Sequence, residues 1–209
     1  MTTDAEQFYY PNNMGRMILL AIEDVIGQSG IQTILNISNP NDPIVTLPPA
    51  NFDRQFTFER LSNLMERLEM YYGPRAGRGL AFRSGQACFQ YGLKEYGPLL
   101  GVSDMAFRLL PLPAKIKIGA KLFADTFNTF SDQIVQITET EDTIYWRIEQ
   151  CPICWQRHSD APSCHLAVGI LQEALYWISS GKYFHVEETT CIAQGDSACT
   201  IEILKVPLG

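Results

Sequence analysis

Apolar residues in the first two-thirds of the chain recur at a helical spacing, and this pattern predicts a series of helices. Asn13 is placed to cap the first helix and Gly27 to end it. A stronger stripe begins at Thr57 and stops before Pro74. The predicted helices cover residues 13–26, 31–37, 57–72, 79–96, 103–110 and 114–130.

The period of the pattern shortens to two after residue 133, which predicts strands. Glu141 and Asp142 form the turn of a predicted hairpin, and Ile144, Trp146 and Ile148 share one face of its second strand. The predicted strands cover 134–140, 143–149, 183–189 and 198–204, with a helix at 164–178 between the two pairs. We therefore predict one α+β domain over residues 1–209, mainly helical at 1–132 and carrying the sheet and most cysteines at 133–209.

Small residues form a stripe on the fourth predicted helix, and phenylalanines lie beside it. Two interpretations of Gly85 in that stripe stay open: close packing of two helices, or space for a flat ligand against the backbone. Phe123 and Phe127 on the last predicted helix of the first part also have two interpretations, core or the wall of an apolar pocket. The candidate pocket residues are Phe82, Gly85, Phe89, Phe123, Phe127, Trp146 and Trp177.

Composition narrows the class of protein. The apolar fraction is 46%, enough for a sizeable core, and the net charge of −7 argues against nucleic acid as a partner. The first seven residues are polar and acidic, unlike a signal peptide, and the longest strongly apolar run is too short to span a bilayer. We therefore expect a cytoplasmic, reducing environment, in which clustered cysteines indicate metal ligands or redox groups before disulfides.

Five of the six cysteines lie after residue 150. Cys164, Cys191 and Cys199 together with Glu188 make a complete tetrahedral set for zinc, and Cys151 and Cys154 are alternative ligands with metal-binding spacing. A redox dithiol, an iron–sulfur cluster and inert buried thiols are the competing interpretations. Nucleotide-binding and hydrolase fingerprints are absent from the sequence, so we expect a protein without catalytic activity rather than an enzyme.

The C-terminal cysteine pattern resembles the 4-vinyl reductase domain family. The resemblance is carried by Cys164, Gly169 and the stretch 186–203, where Glu188 precedes Cys191 by three residues and seven residues separate Cys191 from Cys199. It implies an α/β domain with a small antiparallel sheet packed on helices, similar to Golgi-tethering subunits and NO-signalling ligand-binding domains. It also implies a small-molecule pocket, a homodimer and, in its sensor branch, zinc on the four residues of the first set.

The family includes proteins of bacteriochlorophyll synthesis, and this chain looks most like its stand-alone photosynthetic, cyanobacterial-type members. The resemblance therefore implies a chlorophyll-type tetrapyrrole or precursor as ligand, and a function in pigment delivery or photosystem assembly. Photosystem assembly proteins would be partners, and the protein would be cytoplasmic or peripheral at the photosynthetic membrane. Two alternatives remain: a vinyl reductase of (bacterio)chlorophyll synthesis, and a scaffold for protein contacts.

Overall fold

A computed structural model of the chain describes residues 7–38, 47–100, 107 and 109–208. Its helices are α1 (Asn12–Ser38), α2 (Phe58–Tyr72), α3 (Pro74–Leu100), α4 (Leu112–Phe130) and α5 (His165–Ile178), with a 3-10 turn at Ile192–Gln194. Its strands are β1 (Tyr9–Pro11), β2 (Arg54–Thr57), β3 (Val135–Glu139), β4 (Thr143–Ile148), β5 (Phe184–Thr190) and β6 (Cys199–Pro207). The helix predicted over 103–110 falls largely outside the described residues.

Helix α1 is bent at Gly27, which has φ 75° and ψ 164°. Glycine adopts this conformation without the steric penalty that other residues incur. The bend separates the two helices that the sequence predicts on either side of Gly27. Among the described residues α1 alone has the length and hydropathy to cross a membrane, but Ile18, Leu19 and Ile22 along it are buried in the protein core.

Helix α2 begins as predicted at Thr57, whose hydroxyl accepts a hydrogen bond from the backbone N–H of Arg60 at 3.1 Å. Its apolar stripe is fully buried; the residues are Leu61, Leu64, Met65 and Leu68. Helix α3 follows after Gly73 alone, so the two helices form a tight pair against α1.

Helices α3 and α5 cross at two glycines. A methyl group on Gly85 would clash with the carbonyl oxygen of Leu166 and lie 2.9 Å from the backbone nitrogen of Ile170. A methyl group on Gly169 would clash in the same way with the carbonyl of Phe82. The small-residue stripe at Gly85 is therefore a helix-packing surface, the first of its two interpretations.

The four-stranded sheet is antiparallel with strand order β3-β4-β6-β5. The predicted hairpin is present, with Val135 opposite Ile148 and Glu139 opposite Ile144. Trp146 pairs with Ile201 on the central strands, and both side chains are buried. These observations confirm the predicted fold class, a small antiparallel sheet packed on several helices.

A second, two-stranded sheet is the element that the sequence analysis missed. Strands β1 and β2 pair antiparallel, with Tyr9 opposite Thr57 and Tyr10 opposite Phe56. The backbone N–H of Tyr9 also donates to the carboxylate of Asp132 at 2.8 Å. Strands of three and four residues are too short to show a clear alternation, so no sequence signal predicts them.

Candidate metal centre and apolar cavity

Four segments of the chain bring the cysteines together. Cys151 and Cys154 lie in the loop after β4, and Cys164 is the residue that caps α5. Cys191 directly follows β5, and Cys199 begins β6. All five are buried free thiols, with exposed fractions of 1% or less.

The Sγ atoms of these cysteines lie close to one another. Cys151 Sγ is 3.4 Å from Cys164 Sγ, and Cys154 Sγ is 3.2 Å from Cys199 Sγ. Cys164 Sγ lies 3.6 Å from Cys199 Sγ and 4.0 Å from Cys154 Sγ. Thiolates that bind one zinc ion at about 2.3 Å in a tetrahedron are about 3.8 Å apart, so the observed spacing fits a thiolate metal centre.

The six donor residues form two overlapping sets, and within each set the ligand atoms all lie within 4.8 Å of one another. One set is the predicted one, Cys164, Glu188, Cys191 and Cys199. The other is Cys151, Cys154, Cys164 and Cys199. The structure thus brings the alternative ligands into the same cluster, and Cys164 and Cys199 belong to both sets.

Glu188 on β5 shows the electrostatics of the site. Its Oε2 accepts a hydrogen bond from the backbone N–H of Cys164 at 2.7 Å, whereas its Oε1 is buried without a hydrogen-bond partner. Burial raises the pKa of the Glu188 carboxyl to about 8. A buried carboxylate oxygen without a partner is unfavourable unless a cation is beside it, so this residue fits the role of a metal ligand.

Backbone and side-chain groups hold the two cysteines of the β5–β6 connection in place. The carboxylate of Asp196 accepts from the backbone N–H of Cys191 at 2.8 Å, and Ser163 Oγ lies 3.5 Å from Cys191 Sγ. The backbone N–H of Ile192 donates to Cys199 Sγ at 3.3 Å. Such hydrogen bonds stabilise thiolates and fix their orientation toward a metal.

The spacing of the sulfur atoms separates the chemical alternatives. In a [4Fe–4S] cluster each of the four thiolates binds a different iron, so they lie around a multi-atom body rather than around one ion. Cys154 and Cys199 at 3.2 Å are too close together for that arrangement. For a redox dithiol of Cys151 and Cys154, a low thiol pKa would be expected, but burial raises the pKa of Cys151.

A buried ion pair beside the cluster was not predicted. Arg157, in the same loop as Cys154, donates to Glu69 of α2 at 2.9 Å, and both side chains are largely buried. The backbone N–H of Arg157 also donates to the carbonyl of Cys154 at 3.1 Å. The pair connects the cysteine loop to the helical part of the molecule, and nothing in the spacing of two residues so distant in sequence indicates it.

An apolar cavity of about 140 Å³ lies between α3, α4, α5 and the sheet. Five of the seven predicted pocket residues line it: Phe89, Phe123, Phe127, Trp146 and Trp177. Phe82 and Gly85 do not line it; they lie at the crossing of α3 and α5. Sequence reasoning placed them in the pocket because the same small-residue stripe suits either surface.

The few polar groups on the cavity wall are hydrogen-bonded to the protein. Tyr10 donates to Gln133 Oε1, and the Tyr96 hydroxyl donates to Asn13 Oδ1 at 3.0 Å. The hydroxyl of Thr126 donates to a carbonyl within α4 at 2.8 Å. The wall therefore presents mainly apolar carbon to a ligand, as small-molecule pockets commonly do.

The metal centre and the cavity are adjacent. Pro152 and Ile153, which lie between Cys151 and Cys154, are part of the cavity wall. Helix α5 contributes Cys164 to the cluster and, from its next turns, residues such as Leu166 to the cavity. A change in one site therefore has a direct structural route to the other.

Comparison with known families agrees with the cysteine pattern. The family model of the 4-vinyl reductase domain matches residues 144–205, which include the second strand of the hairpin and all six donors of the cluster. The chain therefore carries a 4-vinyl reductase domain over these residues, which confirms the resemblance to that family. A search among curated proteins found no match to the chain.

Solved structures extend the likeness to nearly the whole chain. An H-NOX protein from S. oneidensis, in the Fe(II)NO ligation state, is 12% identical with a TM-score of 0.60, covering 93% of this chain and 99% of its own. An H-NOX protein from K. algicida, in the Fe(II) unliganded state, is 12% identical with a TM-score of 0.57, covering 95% and 97%. At this identity the likeness shows the fold alone, an H-NOX-like α+β domain.

Proposed function

We propose that this protein binds a small apolar molecule in the cavity and has no catalytic activity of its own. The observation that carries the proposal is a cavity of about 140 Å³ whose wall is almost entirely apolar. A dry, apolar space of this kind gains free energy when a ligand of matching shape fills it. The H-NOX structures of the same fold are described by their ligation states, which supports ligand binding as the use of this fold.

The titratable groups on the cavity wall favour binding over vinyl reduction. Burial raises the pKa of Tyr10 well above its usual value, raises that of Tyr96, and raises that of Cys88 to about 12. These groups are neutral near pH 7, so among the described wall residues they supply neither a base nor a thiolate nucleophile. A reductase would in addition need a hydride or electron donor bound beside the cavity.

The size of the cavity limits the ligand. An engineered apolar cavity of about 150 Å³ binds benzene, so the space here suits a molecule of about one aromatic ring. A chlorophyll-type tetrapyrrole, with four pyrrole rings in its macrocycle, requires the walls to move apart. We propose the tetrapyrrole as the finer hypothesis, with α4 as the wall that moves, and pigment delivery or photosystem assembly as the resulting function.

The metal centre is proposed to bind zinc in a structural role. Cys164, Glu188, Cys191 and Cys199 supply four ligands, which fills a tetrahedral shell and leaves no position for substrate. The ion would join β5, β6 and the start of α5, the helix that lines the cavity. Cys151 and Cys154 are the alternative ligands for this ion.

A homodimer is proposed through the N-terminal half. Met70 and Tyr71 at the end of α2 are 64% and 57% exposed, an unusual position for two large apolar side chains. An isologous contact would bury this surface twice. Photosystem assembly proteins, and a peripheral position at the photosynthetic membrane, belong to the tetrapyrrole hypothesis and depend on it. Light scattering that gives 23.6 kDa, the mass of one chain, would refute the dimer.

The ligand is tested by displacement of a fluorescent probe. 1-Aminoanthracene emits more strongly in an apolar cavity, and Trp146 and Trp177 on the wall report its arrival by energy transfer. Toluene, naphthalene, protoporphyrin and chlorophyllide are then added as competitors. Displacement by toluene and naphthalene is expected. Displacement by the two macrocycles as well would support the tetrapyrrole, and their failure would restrict the ligand to small aromatic molecules.

Two substitutions on α4 provide matched controls. Ala120 lines the cavity, whereas Ile118 on the same helix is 40% exposed and does not. Ala120→Phe fills the cavity and is expected to weaken probe binding at least ~10-fold, a loss of about 1.4 kcal/mol. Ile118→Phe should leave it unchanged. Probe binding that does not saturate in the unsubstituted protein, or that is equal in both variants, would overturn the proposal.

A further inference from the structure

The cysteine cluster has more ligands than one metal ion uses. Its two ligand sets share Cys164 and Cys199, and each set adds a pair of its own. The pairs are Glu188 with Cys191 on one side and Cys151 with Cys154 on the other. Six ligands arranged as two pairs around a shared pair match the requirements of two tetrahedral ions whose coordination shells have a common edge.

We propose that the cluster holds two divalent, thiophilic metal ions, of the zinc class, that share the thiolates of Cys164 and Cys199. The first ion is the one under "Proposed function", with Glu188 and Cys191 as its other ligands, and the second is bound by Cys151 and Cys154. The second ion therefore depends on the first metal position but not on the cavity ligand. The chain would then contain a binuclear centre rather than a zinc site with two spare thiols.

The distances show that both outer cysteines reach the shared pair. Cys151 Sγ lies 3.4 Å from Cys164 Sγ, and Cys154 Sγ lies 3.2 Å from Cys199 Sγ. These spacings are as short as that between the two shared sulfur atoms, which is 3.6 Å. An arrangement in which Cys151 and Cys154 stand aside from the metal would not require such contacts.

The charge of the cluster also favours a second ion. Five thiolates and one carboxylate carry six negative charges, so one divalent ion leaves four of them buried and two divalent ions leave two. Isolated charge in a buried site is strongly unfavourable. With two ions the centre has the same net charge as a single zinc ion with four thiolate ligands, while every cysteine in it is coordinated.

A disulfide does not account for the outer pair. All six cysteines are free, and the shortest of these Sγ–Sγ distances, 3.2 Å, is well beyond a bond of about 2.05 Å. Proteins in a reducing compartment also keep such thiols reduced. Metal binding is the chemistry that uses close, reduced and buried sulfur atoms.

The stoichiometry is measured by native mass spectrometry and elemental analysis of protein prepared anaerobically with zinc. Two ions per chain are expected. Replacing Cys151 and Cys154 together with serine should remove one ion and keep the other, whereas Cys164→Ser, which affects both positions, should remove both. Cys88→Ser is the matched control, because Cys88 is a buried cysteine on α3 outside the cluster, and it should keep two ions.

The sharing of thiolates needs its own measurement. High-spin Co²⁺ replaces zinc in such sites, and two cobalt ions joined by thiolates couple magnetically. As the second equivalent of Co²⁺ is added, the electron paramagnetic resonance signal per cobalt should therefore fall. In the Cys151→Ser/Cys154→Ser variant, which keeps the first site intact, the signal per cobalt should stay constant up to one equivalent.

Three results would contradict the inference in distinguishable ways. One ion per chain, unchanged by the double substitution, would leave the proposed zinc site intact and overturn the second ion. Two ions without magnetic coupling would overturn the sharing of Cys164 and Cys199. No metal under any condition would overturn the zinc site as well, while the probe titration of the cavity would still test ligand binding on its own.

Discussion

The metal centre and the cavity lie side by side on α5, yet the chain builds them by different physical means. The centre uses a few polar donors at short, defined distances, such as 3.4 Å between Cys151 Sγ and Cys164 Sγ. The cavity is a space that large apolar side chains leave unfilled, with Trp146 and Trp177 among its walls. The first depends on particular atoms and the second on summed volume and shape.

This difference predicts how each site responds to change. Coordination bonds are directional, so removal of one ligand should abolish a metal position. Apolar contacts are not directional, so a conservative change in the cavity wall should alter affinity only gradually. The predictions that test this contrast start with the largest expected effect.

Loss of a shared metal ligand should have the largest effect. Cys164→Ser removes a donor from both ligand sets, and since metal binding in such centres is coupled to folding, we expect a loss on the order of 5 kcal/mol in the free energy of unfolding. Cys88→Ser places a hydroxyl in an apolar site and should lose only ~1–3 kcal/mol while keeping the metal. Urea unfolding with metal analysis measures both; equal losses would refute the structural role of the metal.

Two glycines on α3 should respond in opposite directions. Gly85→Ala places a methyl group against the backbone of α5, and we expect a loss of about 3 kcal/mol in the free energy of unfolding. A methyl group on Gly92 would meet open space, with no neighbouring group within 4 Å, so Gly92→Ala should gain up to ~1 kcal/mol from helix propensity alone. Thermal unfolding of the two variants checks this, and a neutral Gly85→Ala would contradict the close crossing.

Removal of the metal should weaken the cavity ligand. Pro152 and Ile153 lie on the cavity wall between two cysteines of the cluster, so their positions depend on what those cysteines bind. We expect affinity for 1-aminoanthracene to fall about 5-fold after chelation, a coupling of ~1 kcal/mol, and to return when zinc is restored. The Cys88→Ser protein should show the same reversible change, whereas an affinity independent of metal would show that the two sites are uncoupled.

The smallest effect is expected at the surface ion pairs of Glu139. Hydrogen bonds from Lys117 and from Lys205, the latter at 2.8 Å, lower the pKa of Glu139 to about 2. A lowered folded-state pKa contributes stability above the unfolded value of about 4.3 that is lost as pH falls toward 2. Glu139→Gln should therefore reduce the loss of stability between about pH 5 and pH 2 in acid unfolding curves. High salt should shrink the difference between the two proteins, because these groups are exposed.

Much of the fold could be predicted from the sequence because its signals are local. The break at Gly27, the cap at Thr57 and the hairpin of Ile144, Trp146 and Ile148 depend on residues that are near one another in the chain. The small sheet of β1 and β2 could not be predicted, since its strands are very short and lie far apart in the chain, with Tyr9 pairing with Thr57.

The sequence by itself determined which residues are able to bind a metal, because residue type and spacing along two strands and a helix start identify Cys164, Glu188, Cys191 and Cys199. Only the tertiary structure decided that Cys151 and Cys154 join the same cluster, and that Gly85 packs against α5 instead of lining the cavity. The physical reason is that donor chemistry belongs to single side chains. Shared ligands and empty space, by contrast, arise only when segments distant in sequence pack together.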